Sequence, residues 1–366
     1  DAATHLAGRR RDPVALAAAG AAAAGLGYLI HLARADQETA ERALAEALGP
    51  DYVDHLEQRP TPADLATPWR SLLNPFRMRN PAVKVERNLA YGDAGKRNYL
   101  DIYMPADDSG RPPGGAPVLL QVHGGAWMVG TKDQQGIPLM QHLAAKGWIC
   151  VAINYRLAPR DAFPAHVIDV KKAIHWIREH ITEYGGDPDY IAITGGSAGG
   201  HLSSLAALTA NDREWQPGFE DADTSVQLAI PHYGVYDFAG STGSKAAIQL
   251  RDLFLADRVL KKKWDTDPEA FEAASPILRI TSDAPDFFVL HGAHDTLVPV
   301  DQARAFVSRL RDLSKRSVVY AELPGAQHAF DIFPSIRSAH IVRAIDRYLH
   351  WHWNQYRREQ QAAETS

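Results

Sequence analysis

The chain has 366 residues, 45% of them apolar, with 39 Lys and Arg against 44 Asp and Glu for a formal net charge of −5, and a single cysteine. That length suits one large α/β domain with an extension, or two small domains, and the acidic balance provides no basic field for a nucleic-acid partner. Cys150 lies alone in the apolar run Trp148 to Ile153, so no intrachain disulfide is available and the thiol reads as core.

In chain order, Arg9, Arg10, Arg11 and the helix-start pair Asp12-Pro13 precede residues 14–33, which contain no Lys, Arg, Asp or Glu. Twenty such residues in a helix span about 30 Å, the thickness of a hydrocarbon core. The expectation is a membrane anchor over 14–33, within an amino-terminal unit of residues 1–35. Ala33-Arg34-Ala35 also resembles a small-residue cleavage site, which makes a secretory signal the rival reading and an ordinary soluble helix the third. Ala17, Ala21 and Gly25, with Gly20 and Ala24, repeat small side chains at four-residue spacing, a pattern suited to helix pairing in lipid and hence to a homo-oligomer. The arginines would stay on the cytoplasmic side and place the rest of the chain in the membrane or cell envelope, outside the cytoplasm; a cytoplasmic location is the alternative.

Residues 36–82 read as a helical cap or linker. A charged, alanine-rich helix over Gln37 to Leu48 leads to a proline-punctuated connector, whose Leu65, Trp69, Leu72, Leu73 and Phe76 are expected to dock on the core. From 83 to 355 strands and helices alternate as a doubly wound, mostly parallel sheet requires. Lys84 to Tyr91 and Asn98 to Met104 open as an antiparallel pair, and runs near 117, 148, 190, 227, 286 and 317 bring the count to eight strands. Helices are expected over Ala165 to Tyr184 and near Ile336 to Trp353, a surface loop at Pro112-Pro113-Gly114-Gly115, and a polar tail over 356–366. Residues 234–283 interrupt the alternation with helix-like stretches over Ala246 to Val259 and Phe271 to Ile277. An insert of that length reads as a lid over a functional site, with a scaffold excursion that touches no substrate as the alternative.

The chemistry concentrates at Gly195-Gly196-Ser197-Ala198-Gly199, between the apolar run ending at Thr194 and the helical pattern from His201. Strand, Gly-x-Ser-x-Gly, then helix is the arrangement that aims a serine hydroxyl away from a sheet for covalent acyl transfer. Serine needs a base, and the base needs a carboxylate that fixes its tautomer. Asp295, just past the strand Asp286 to Gly292, is the candidate acid, and His328, in the loop after Ser317 to Leu323, is the candidate base. Parallel strands end on one edge, so the three can converge. The oxyanion needs fixed donors. His123-Gly124-Gly125-Ala126-Trp127 follows the strand Pro117 to Val122, and the amides of Gly124, Gly125 and Ala198 are the candidates.

Taken with Asn154-Tyr155-Arg156-Leu157-Ala158-Pro159 and Phe163-Pro164-Ala165, these motifs resemble the hormone-sensitive-lipase-like branch of the α/β-hydrolases over roughly residues 83 to 353. The resemblance implies an α/β-hydrolase fold with a cap, Ser197, Asp295 and His328 as triad, Gly124, Gly125 and Ala198 as oxyanion hole, and an acyl-ester substrate with no cofactor. Ala126 stands where many members have a third glycine, and this form also resembles the kynurenine-formamidase-like esterases, which makes an aryl formamide the alternative substrate. A membrane-attached hydrolase-fold protein that only binds partners is the third reading, disfavoured by the full complement of reactive groups.

Trp127, Tyr233, Phe254 and Leu255 are candidate apolar walls for the acyl group. Sixteen histidines raise the question of a metal, but none falls in a His-Glu-x-x-His pattern and no carboxylate cage accompanies them, so no metal is expected. His123 reads as ordering the oxyanion loop and His201 as a packing or hydrogen-bonding residue. Asp169 and Asp237 read as satisfying loop amides, and Asp301, the nearest competitor of Asp295, as a helix cap.

Overall fold

The computed structural model describes residues 13–56, 59–74, 78–107, 112 and 114–364. Arg9 to Arg11, Asp12, Phe76 and Pro113 of the sequence reading lie outside them. A single eight-stranded sheet runs in the order β1-β2-β4-β3-β5-β6-β7-β8. Its strands are β1 (Val83–Ala90), β2 (Tyr99–Pro105), β3 (Ala116–Val122), β4 (Ile149–Ile153), β5 (Gly186–Gly196), β6 (Leu228–His232), β7 (Asp286–Gly292) and β8 (Val318–Leu323). β1 pairs antiparallel with β2 and β2 antiparallel with β4, while every pair from β4 to β8 is parallel. The central strands are apolar at successive positions because both faces are covered. Ile149, Val151 and Ile153 of β4 enter one core layer, and Cys150 and Ala152 enter the other.

The first layer packs under α3 (Ala165–His180), α4 (Ala198–Leu208) and α5 (Asp301–Leu313); the second lies under α1 (Pro13–Leu48), α2 (Ile137–Ala144) and α6 (Ile336–Glu364). In α3 the buried Val167, Val170, Ile174 and Ile177 recur at helical spacing, and in α5 Ala303, Phe306, Val307 and Leu310 do the same. Asp301 does not cap α5: Val300 holds that position, and Asp301 pairs from the first turn with Arg304 at 3.1 Å.

The ends depart from the sequence reading. The anchor segment and the Gln37 to Leu48 helix are one uninterrupted α1, because no glycine or proline falls at the junction around Asp36. Its residues 13–31 are exposed, whereas Asp36, Ala40, Ala43 and Leu44 are buried against the body. Asp36 pairs with Arg337, and Glu41 with Arg347 and the Tyr52 hydroxyl. α6 continues to Glu364 through the stretch read as a tail, with Trp353 stacked on Tyr356 at 5.4 Å. In the connector Leu65 and Leu72 are half-buried, but Trp69 and Leu73 face solvent rather than the core.

Burial holds His123 and His166 down to about 4, His201 to about 3 and His340 to about 4. An unfolded histidine titrates near about 6.5, so between neutrality and pH 4 the unfolded chain binds protons that the folded chain refuses, and stability falls as pH falls. His350 opposes this: burial lowers its pKa, but its bonds to Asp346 outweigh burial and raise it. Asp36, which burial raises to about 6, and Asp187, also raised by burial, act in the same sense as His350. Four strongly lowered histidines against these three predict a melting temperature lower at pH 5 than at pH 7, with a shallower slope in His201→Gln. Calorimetry across that range checks it, and a melting temperature that rises on acidification would contradict it.

Candidate active site

β3 has β4 on one side and β5 on the other, so the chain reverses its winding direction between β3 and β5. The crevice at the carboxyl ends of two such strands is where open α/β sheets bind ligands. Here it receives the turn after β5, which holds Ser197, and the loop after β3, which holds Gly124 and Gly125. Val122 and Gly195 are register partners at that point.

The glycines are there because the backbones touch. A Cβ on Gly195 would lie 2.5 Å from the Val122 carbonyl oxygen, one on Gly199 2.1 Å from the same atom, and one on Gly124 2.6 Å from the Gly196 oxygen. Ser197 has φ 58° and ψ −118°, a conformation that costs about 1–3 kcal/mol and persists only where its surroundings enforce it. The enforcement is a bond from its amide to the His232 oxygen at 2.9 Å and one from the His201 amide to its own carbonyl at 2.9 Å. The serine side is half-buried at the start of α4.

His328 Nδ1 lies 2.7 Å from Asp295 Oδ2, while Asp295 Oδ1 accepts the amides of Leu297 at 2.9 Å and Val298 at 2.8 Å. His291 Nε2 adds a contact to Oδ2 at 3.4 Å. Burial alone would raise the carboxyl pKa, but the His291, His328 and Val298 bonds outweigh it and hold Asp295 well below the usual carboxylate range. The ring of Tyr233 bridges base and elbow. Its centroid is 4.7 Å from that of His328, and a Cβ on Gly196 would lie 2.6 Å from its oxygen. Among the described residues no hydrogen bond joins Ser197 Oγ to His328, a gap common in unliganded sites.

The oxyanion loop corrects the sequence reading. The Gly124 amide donates to Gln135 Oε1 at 2.7 Å and is therefore committed inside the protein. Gly125 has φ 122° and Ala126 φ 52°, so the chain curls past Gly124. The amides of Gly125, Ala126 and Ala198 have no acceptor among the described residues. Ala126 thus joins Gly125 and Ala198 as a candidate donor, and Gly124 does not. His123 stacks on Tyr155 at 4.3 Å and bonds the Gly124 oxygen through Nδ1 at 2.7 Å, which orders the loop.

Of the four wall residues, Tyr233 lines the base, Phe254 is half-buried, and Leu255 is fully buried in the core. Trp127 is likewise buried, donating from Nε1 to His201 Nδ1 at 3.1 Å and meeting Phe238 edge-on at 5.0 Å. His201 in turn reaches the Ala274 oxygen at 2.8 Å, which ties the 234–283 insert to α4. The Phe163 amide reaches the Val259 oxygen of the same insert at 2.9 Å. Asp169 accepts the Arg156 amide and guanidinium, and Asp237 the amides of Ser241 and Thr242, as loop-ordering groups do.

Sequence reasoning missed Gln135 and Asp331. Asp331 accepts from the Tyr233 hydroxyl and lies 2.6 Å from His232 Nδ1, which pins the loop carrying His328 to the end of β6. Only its position three residues past His328 could have hinted at this.

This sheet, with its serine turn at the switch point, makes the chain an α/β-hydrolase. The model of the BD-FAE family matches residues 100–310, and the chain belongs to that family. It is 56% identical over 72% of its length to a probable carboxylic ester hydrolase, LipM, of Mycobacterium tuberculosis, of which it spans 60%. It is 48% identical over 86% of its length to esterase LipQ of the same organism, covering 74% of that protein. A butyrate-bound esterase, Est2, from Thermogutta terrifontis superposes with a TM-score of 0.60 at 25% identity, covering 75% of this chain and 94% of that one. The relatives place the chain in an esterase branch of the fold.

Gln135→Ala frees the Gly124 amide and lets the oxyanion loop shift; a misplacement of about 1 Å costs about 10²-fold. The expected result is a kcat lower by roughly ten- to a hundred-fold on a short aryl ester with KM little changed, recovered in Gln135→Glu, which keeps the acceptor. Unchanged kcat in the alanine variant would contradict the role given to Gln135.

Proposed function

We propose that the chain hydrolyses acyl esters through a covalent intermediate on Ser197, with His328 as base, Asp295 as its orienting carboxylate and the amides of Gly125, Ala126 and Ala198 as the oxyanion hole. The observation that carries this reading is the pairing of a strained, half-buried serine with uncommitted amides beside an ionised Asp295 on His328. His328 Nε2 takes the hydroxyl proton as Oγ attacks the ester carbonyl carbon. The carbonyl oxygen becomes an anion facing the three amides. The C–O bond to the alcohol then breaks, and the alcohol leaves with the proton from His328. Water, deprotonated by the same nitrogen, attacks the acyl-enzyme and releases the acid and Ser197. The esterase names of the relatives and the butyrate in the Est2 structure support an acyl ester over a formamide. The insert over 234–283 is read as the cover of the acyl pocket.

The exposed, uncharged residues of α1 support a membrane anchor over 14–33, with the catalytic body held at the membrane or cell envelope. That helix contains an 18-residue window of mean hydropathy 1.7, none of it buried in the body.

Ser197→Ala is expected to lower kcat/KM on p-nitrophenyl butyrate by about a million-fold, with His328→Ala close behind and Asp295→Asn less severe. Labelling by a fluorophosphonate followed by peptide mapping checks the nucleophile: label on Ser197 is expected, and label on another serine would overturn the assignment. An aryl formamide included in the same survey is expected to turn over more slowly than the ester; the reverse order would favour the formamidase reading.

A further inference from the structure

We propose that the catalytic mouth opens against the lipid bilayer and that the substrate is an ester resident in that bilayer, taken in from the membrane face. The proposal rests on the reading of α1 as a membrane anchor and adds which way the active site points.

The direction follows from the helices beside β8. α6 begins at Ile336, after the loop at the carboxyl end of β8, and runs back until His352 lies 3.3 Å from Asp286, at the amino end of β7. The docked half of α1 runs alongside it in the same sense, since Asp36 pairs with Arg337 and Glu41 with Arg347. The preceding part of α1 must therefore extend the opposite way, out past the carboxyl ends of the strands. The crossing point is visible. Leu32 covers Gly325, where a Cβ would lie 2.5 Å from Leu32 Cδ1, and Gly325 is three residues before His328. Residues 13–31 project beyond it, about 28 Å of exposed helix without a charged side chain. A bilayer around that segment lies on the active-site edge of the sheet, not on the opposite edge.

The same edge carries an apolar rim. Val129 is 64% exposed, Leu253 78%, Leu297 68% and Phe333 56%. They sit on the segments that follow β3, β6, β7 and β8, within a few residues of Gly125, Phe254, Asp295 and His328 respectively. Single exposed apolar residues are ordinary. Three of them on loops beside the site and one, Leu253, on a helix of the 234–283 insert, next to an apolar helix leaving the body at the same edge, match a surface that rests on lipid. The opposite edge is mixed and more charged: Asp283, Lys315, Arg316 and Glu359 line the cleft below β6, β7 and β8 together with Val226, Trp351 and Tyr356. An acyl tail moving from the bilayer across such a rim exposes less of its length to water than one crossing a polar rim.

The test uses the full chain reconstituted in phosphatidylcholine vesicles containing dioleoylglycerol as the embedded ester. Cysteine is introduced at Phe333, Leu253 or, as the far-edge control, Glu359, and labelled with an environment-sensitive dye; the native Cys150 is buried. The chain is expected to float with the vesicles, with dye at 333 and 253 quenched by brominated lipid and shielded from iodide, and dye at 359 the reverse. The double variant Leu253→Glu, Phe333→Glu is expected to lose at least ten-fold on the embedded ester and less than two-fold on soluble p-nitrophenyl acetate. If the chain floats but 333 and 253 are as open to iodide as 359, or if both substrates suffer equally, the orientation is wrong while the anchor stands. Shielding of 333 that grows with the protein-to-lipid ratio at fixed lipid would assign the face to a second copy and overturn the proposal. Failure to float overturns the anchor and the proposal together.

Discussion

The active site depends on how closely three stretches of backbone meet where the sheet reverses direction. Gly195, Gly199 and Gly124 stand where a methyl group would fall within 2.6 Å of a neighbouring backbone oxygen. That contact allows the turn after β5 to press against the end of β3 and forces Ser197 into a conformation L-residues rarely adopt. The local cost is about 1–3 kcal/mol, a small sum beside the burial of the two core layers, but it is concentrated at one residue. Strain then has a consequence: the hydroxyl stands out from the turn, and the Ala198 amide, next in the chain and first in α4, has no acceptor within the helix.

Around this fixed point the other parts are held by neighbours that do no chemistry themselves. Gln135 occupies the Gly124 amide at the start of the curl through Gly125 and Ala126. Ala126 and Trp127 both hold positive φ, 52° and 61°, a conformation that glycine adopts most readily and that the surrounding contacts must enforce here. On the far side, Asp331 bonds both His232 and Tyr233, so the end of β6 and the loop bearing His328 move as one. The bonds that hold Asp295 as a carboxylate come from its own loop and from His291, which keeps the base in one tautomer whatever occupies the pocket.

Much of this was legible in the sequence, and the remainder has identifiable causes. Buried parallel strands read as unbroken apolar runs, so β3 to β8 were found within a few residues, and Gly-x-Ser-x-Gly located the turn because its glycines answer a steric demand local in sequence. The glycine pair after β3 pointed to a candidate oxyanion loop, but not to the bond that occupies its first amide. The amide that is lost, Gly124, is lost to Gln135, eleven residues away, and spacing along the chain carries no trace of that bond. Leu255 and Trp127 were read as pocket walls because apolar side chains near a site and apolar side chains in a core have the same composition; only the fold separates them. Asp331 was invisible for the same reason that Gln135 was: each acts on a backbone group or ring contributed by another strand. α1 and α6 were cut short because polar residues on one helix face resemble a linker or tail until the partner for the other face is known.

The central claim is that the oxyanion is held by Gly125, Ala126 and Ala198, with Gly124 withheld by Gln135. A crystal structure of the full chain carrying a butyl phosphonate on Ser197 tests it most directly. The account predicts a phosphoryl oxygen at about 2.7–3.1 Å from the amides of Gly125, Ala126 and Ala198, with the Gly124 amide still bonded to Gln135. A phosphoryl oxygen bonded to Gly124 with Gln135 displaced, or phosphorus attached to any residue other than Ser197, would contradict it.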